Sequence, residues 1–127
     1  MDPSGIIIGS VGLVSAGLAV YFVTRSASRG AIDVNSAIGI RTRLTKSSQE
    51  AWEVAHRAAL PYTLVACLLT LVCTAISVTA LVLVYTAGSS EIAPIVVMLA
   101  GYVGLLVVMT LATISGNKAV RGLSTSR

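Results

Sequence analysis

Three long apolar runs and one long polar stretch set the pattern of this chain. Ile6 to Thr24, Leu60 to Tyr85 and Ile92 to Ser115 contain no Asp, Glu, Lys, Arg or His, and each reaches the roughly 20 residues that a helix needs to cross a hydrocarbon layer. Lipid cannot satisfy a stray backbone N–H or C=O, so spans of this kind are helical unless they form a closed barrel, and the turn-separated alternation of a transmembrane barrel is missing. The pattern predicts transmembrane helices over about 6–24, 60–85 and 92–115 in one membrane domain. A loop of residues 25–59 joins the first two, a short turn from Thr86 to Pro94 joins the last two, and a polar tail of residues 116–127 follows.

Within the loop a second periodicity begins near Thr45. Ser47 and Glu50 have the spacing of a capping box, in which each side chain satisfies a backbone N–H of the other residue at a helix start. A helix from Ser48 to about Ala59 places Lys46, Glu50, Glu53 and Arg57 on one charged stripe, with Glu53 and Arg57 in the favourable i,i+4 order. Trp52, Ala55 and Ala59 face the other way, and His56 lies on the border. This predicts a short amphipathic helix lying at the interface, with Trp52 pressed toward the acyl chains or the bundle. Pro61 disfavours helical geometry at Leu60, so the interfacial helix is expected to end or kink there and Pro61 to open the second span. The expected fold class is an all-α integral membrane protein with three transmembrane helices plus this interfacial helix.

Finer spacing suggests how the spans pack. Gly5, Gly9, Gly12, Ala16 and Ala19 recur at steps of 4, 3, 4 and 3, a stripe of small residues that allows close helix approach in lipid, either within the chain or against a partner. Cys67, Thr70, Thr74 and Ser77 form a mildly polar stripe in the second span, whose hydroxyls can return to the i−4 carbonyl without lining a water path. Cys67 and Cys73 lie on opposite sides of their helix and read as small apolar packing residues. Tyr21, Phe22, Tyr62 and Tyr85 sit where interfacial anchors belong.

Composition and charge add orientation. Hydrophobic residues make up 55% of the 127 and charged residues 11%, against about a quarter charged in soluble domains. All nine basic residues lie in the first loop (Arg25, Arg29, Arg41, Arg43, Lys46, Arg57) or the tail (Lys118, Arg121, Arg127), while the other side carries Asp2 and Glu91. Short loops rich in Lys and Arg stay cytoplasmic, so the expected topology has an outside N-terminus and a cytoplasmic C-terminus. Helix one lacks the basic n-region of a secretory signal and reads as a retained anchor. The basic loop suits anionic lipid headgroups. Three acidic residues offset half of its six basic ones, which argues against nucleic acid as the partner.

Candidate chemistry is sparse. With one His, no acidic residue in any span, no nucleophile beside a base and no phosphate loop, the usual constellations cannot be assembled, so no catalytic residue, metal site or cofactor is expected. The informative residues cluster between Asn35 and Arg57, which holds the only Trp and the only His.

Asn35, Gly39-Ile-Arg41-Thr42, Thr45 and then Trp52-x-x-x-His56-Arg57 before an apolar span resemble the signature of the SdpI family of small bacterial membrane proteins. The resemblance covers about Asn35 to Ser115. It implies an inner-membrane protein related to one that protects a producing cell from its own membrane-active peptide toxin and draws a repressor to the membrane. Two departures bear on this: three spans are fewer than the founding type has, and Ala-Ala-Leu-Pro follows His56-Arg57 where many relatives carry a Gly. On the residues themselves, Gly39 suits a turn. Asn35 and Thr42 could cap or brace the loop, and Arg41 could brace it or offer a donor fork to a lipid phosphate or a partner carboxylate. His56 beside Trp52 fits a hydrogen-bonded packing residue or a pH sensor. Two functions stand open. One is an immunity or signalling protein that engages a peptide toxin or a cytoplasmic regulator. The other is an accessory subunit docking on a membrane-protein partner through the Gly/Ala seam of helix one.

Overall fold

A computed structural model describes residues 2–126. It is all-helical over those residues: α1 spans Ser4–Ser28, α2 spans Gln49–Ala87 and α3 spans Ile92–Thr125. All three are long and apolar enough to cross a membrane. α2 packs along both neighbours, while α1 and α3 barely meet. The burial pattern is the reverse of a soluble bundle. Most of the buried positions of α2 are small or hydroxylated (Ala51, Ala55, Ala59, Thr63, Ala66, Thr70, Ser77), whereas Ile8, Val11, Leu68, Val72, Val103 and Leu106 are exposed. Helices sort their residues this way when the surrounding solvent is as apolar as Leu and close backbone approach is what gains contact. The chain is a multi-pass membrane protein.

The separate interfacial helix does not exist. α2 runs without a break for 39 residues through Pro61, about 58 Å at 1.5 Å per residue and nearly twice a hydrocarbon thickness of about 30 Å. Its first three turns therefore project beyond the apolar run as a continuation of the same rod. Pro61 costs the helix one N–H donor, but the ring lies on the exposed face. The opposite face carries one uninterrupted buried stripe, Ala51, Ala55, Ala59, Thr63, Ala66 and Thr70. Packing of that stripe against α3, and at Ala66 and Thr70 also against Leu13 and Gly17 of α1, overrides the local preference at Leu60. Gly116 lies so close to α2 that a Cβ there would meet the Ala55 carbonyl at 3.1 Å, and the Ser115 hydroxyl reaches the Ala58 carbonyl at 3.4 Å. α3 likewise continues through Thr125 where the sequence predicts a polar tail, because Val120 packs on Ala51 and Ala55.

The helix start also differs by one residue from the expected capping box. Ser48 is the N-cap and accepts from the Ala51 amide at 3.0 Å, while the Ser47 hydroxyl donates to the Leu44 carbonyl. Ser48 leaves Ala51 at the position where a capping box needs Glu or Gln.

Inter-helix hydrogen bonds fix the register. Ser77 donates to the Pro94 carbonyl at 2.8 Å and Thr74 to the Ser10 carbonyl at 3.4 Å, so two members of the polar stripe reach across to a neighbour. Thr70 returns to its own helix at the Cys67 carbonyl, 2.8 Å away. Both cysteines are free; Cys67 is buried and Cys73 half-buried. In the Gly/Ala seam of α1, Gly9 accommodates Met98 and Gly12 the hydroxyl of Tyr102, which donates to the Gly9 carbonyl at 2.8 Å. Gly5 has open space around it, and Ala19 is exposed. The deeply buried face of α1 lies one position away, at Ile6, Ser10, Leu13, Gly17, Thr24 and Ala27.

Candidate functional site

At one end of the bundle the chain leaves α1, crosses residues 29–48 without regular structure and enters α2. α1 closes with the Ala31 amide on the Ser26 carbonyl and the Gly30 amide on the Ala27 carbonyl, with Gly30 at φ +74. This paired closure needs a left-handed residue and turns the chain back over the bundle.

The returning loop is held by side chains of α2 and α3. Trp52, fully buried, donates its indole N–H to the Ile32 carbonyl at 2.9 Å. Gln49 accepts the Val34 amide at 3.0 Å and donates to Glu53 at 3.0 Å. His56, also fully buried, takes the Ile40 amide on Nε2 at 2.9 Å and contacts the Trp52 carbonyl through Nδ1 at 2.7 Å. An amide can only donate, so Nε2 is unprotonated and Nδ1 carries the hydrogen given to Trp52. Burial pushes the imidazole below its ordinary pKa, with the Trp52 carbonyl pulling more weakly the other way. The two rings stack obliquely, centroids 4.3 Å apart at 46°.

Gly39 crosses directly over this pair. Its φ is +113, and a Cβ there would stand 2.7 Å from the Trp52 ring and 2.9 Å from His56 Nε2. Both conformation and space therefore demand glycine. Beyond it, Ile40 packs with Ala59 and Ala112. Thr42 and Thr45 then exchange bonds. The fully buried Thr45 hydroxyl donates to the Ile40 carbonyl at 2.7 Å and accepts the Thr42 amide at 2.9 Å. The Thr42 hydroxyl donates to Asn117 of α3 at 2.6 Å and lies 3.2 Å from the Thr45 amide.

Of the eight sequence-selected loop and helix positions, Gly39, Thr42, Thr45, Trp52 and His56 thus converge on one clamp. Asn35, Arg41 and Arg57 stay exposed. Arg41 spends one N–H on the Ala37 carbonyl at 3.4 Å, and the Asn35 amide turns onto Asp33 at 2.8 Å.

A family profile described as the SdpI/YfhL protein family matches residues 31–116. The chain belongs to the SdpI/YfhL family. No curated protein and no solved structure matches it. The matched residues take in the loop from residue 31, all of α2 and most of α3, and leave α1 outside. Within this SdpI/YfhL chain, sequence reasoning missed Gln49, Gly116 and Asn117. Asn117 carried a usable signal, being the first strongly polar side chain after the third apolar run. Gly116 gave none, because its role depends on which face of α3 meets α2. Among the described residues no group of three or more His, Cys, Asp or Glu could hold a metal ion.

Proposed function

We propose that this protein is a non-enzymatic component of a bacterial cytoplasmic membrane. It serves in immunity or signalling and recognises a peptide toxin or a cytoplasmic regulator through the clamped loop. The carrying observation is the division of labour around the loop: Gly39, Thr42 and Thr45, with Trp52 and His56 of α2, hold it against α2 and α3, while Asn35 and Arg41 of the loop and Arg57 of the adjoining α2 are left exposed on a fixed backbone. Pre-ordering a segment with no regular structure removes the entropy that a partner would otherwise have to overcome. An arginine on such a backbone presents a planar fork suited to a carboxylate.

The alternative, an accessory subunit docked through the seam of helix one, draws less support, because Gly9 and Gly12 already receive Met98 and Tyr102. Only Gly5 and Ala19 remain open for a partner helix.

Extraction in mild detergent, followed by identification of stoichiometric co-purifying proteins, separates the two readings. Recognition through the loop predicts that Arg57→Ala and Asn35→Ala abolish protection from a peptide, or retention of a regulator, at unchanged protein level. A stable integral partner lost on Gly5→Leu but kept in the Arg57 variant would make the protein a subunit instead.

A further inference from the structure

Between α1 and α3, at the loop end, lies a groove of about 460 Å³. Ala19, Val20 and Val23 form one wall and Met109 and Thr113 the other, and residues 38–42 roof it. The threonine hydroxyls that line it already donate within the protein. Thr24 donates to the Val20 carbonyl at 2.8 Å, Thr113 to the Met109 carbonyl at 3.0 Å and Thr42 to Asn117 at 2.6 Å. The walls are therefore mainly hydrocarbon, with no free hydroxyl donor among these threonines. Arg41 is the sole charged residue of the lining and is exposed. The backbone on both sides of it is pinned, by Ile40 on His56 and Thr42 on Thr45.

We propose that this groove holds an acyl chain of an anionic phospholipid whose phosphate is taken by Arg41. An apolar slot opening sideways from a membrane bundle, with one guanidinium at its rim, is complementary to an amphiphile with an anionic head. The size fits a slender ligand.

Trp52 reports on the site. It is the only tryptophan, and its ring packs against Gly39 in the groove roof. In nanodiscs, lipids brominated on the acyl chain quench a nearby indole. Brominated phosphatidylglycerol should act at about one-fifth the mole fraction that brominated phosphatidylcholine needs, the preference expected of one basic residue near an anionic surface. Arg41→Gln should erase the headgroup preference, and Ala19→Phe, which fills the slot, should remove quenching by both lipids. Both residues are exposed, so the variants should keep the helical circular dichroism of the parent. Equal quenching by the two lipids, a preference surviving Arg41→Gln, or quenching undiminished by Ala19→Phe would overturn the proposal. So would insensitivity to every lipid in a protein that runs as a dimer, which would assign the groove to a second copy.

Discussion

His56 is where one side chain decides the state of the loop. Its Nε2 must stay unprotonated to accept the Ile40 amide, and burial depresses its pKa to the same end. In the unfolded chain the group titrates at about 6.5. Below that pH the unfolded state binds the proton more readily than the native one, so stability rises with pH in this window. Its contribution is fully present above about pH 6.5, declines as the pH falls and levels off below the depressed native value. Thermal unfolding in detergent from pH 7.5 to 5 should therefore show a progressive loss, with faster exchange of the Ile40 amide. His56→Phe should be less stable at neutral pH by about 1–3 kcal/mol, the cost of a buried amide without an acceptor, and should lose the pH dependence that separates it from the parent. A parent with the same profile as the variant would show that the imidazole is not held neutral. The sequence offered only the Trp52–His56 spacing as a clue, compatible with packing or pH sensing. It could not show that the acceptor's partner lies 16 residues back in a loop with no periodicity of its own.

At the scale of elements, three helices were legible in the uncharged apolar runs, because only helices answer to that pattern in lipid. The continuity of α2 was not. Pro61 is a strong local signal, but a helix passes through proline when the rest of its length is fixed by packing. The stripe Ala55, Ala59, Thr63, Ala66, Thr70 crosses it at steps of 4, 4, 3 and 4 with the ring on the opposite, exposed face. That periodicity was present in the sequence and outweighs the proline once α3 is seen to need it. The same reading left Trp52 facing either the acyl chains or the bundle, and it is buried under the loop. Pro61→Ala is accordingly expected to leave Trp52 emission unchanged and to hold or raise stability, by up to about 3 kcal/mol as the missing donor is restored. A hinged interfacial helix would instead shift the emission, since straightening the hinge would carry Trp52 to a new environment. Gly116→Leu, which drives a side chain at the Ala55 carbonyl, should be destabilising by about 1–3 kcal/mol in the same denaturation assay.

Taken as a whole, the molecule gathers its charge at one end. The contacts of Thr42 with Asn117 and of Ala51 with Val120 bring the loop and the last turns of α3 together, so Arg25, Arg29, Arg41, Arg43, Lys46, Arg57, Lys118 and Arg121 share the end where α1 finishes. Asp2 and Glu91 lie at the other, where α1 and α3 begin. The bias in Lys and Arg predicts that this charged end faces the cytoplasm. With Cys67 and Cys73 replaced by Ser, a single cysteine at Ser89 in the short turn should react with a membrane-impermeant maleimide in intact cells. One at Ala37 in the clamp loop should react only after permeabilisation. Both sites are exposed, so a failure to label reports sidedness and not burial. The reverse pattern would place the clamp outside. The loop would then face extracellular peptides directly, and a cytoplasmic regulator could no longer be its partner.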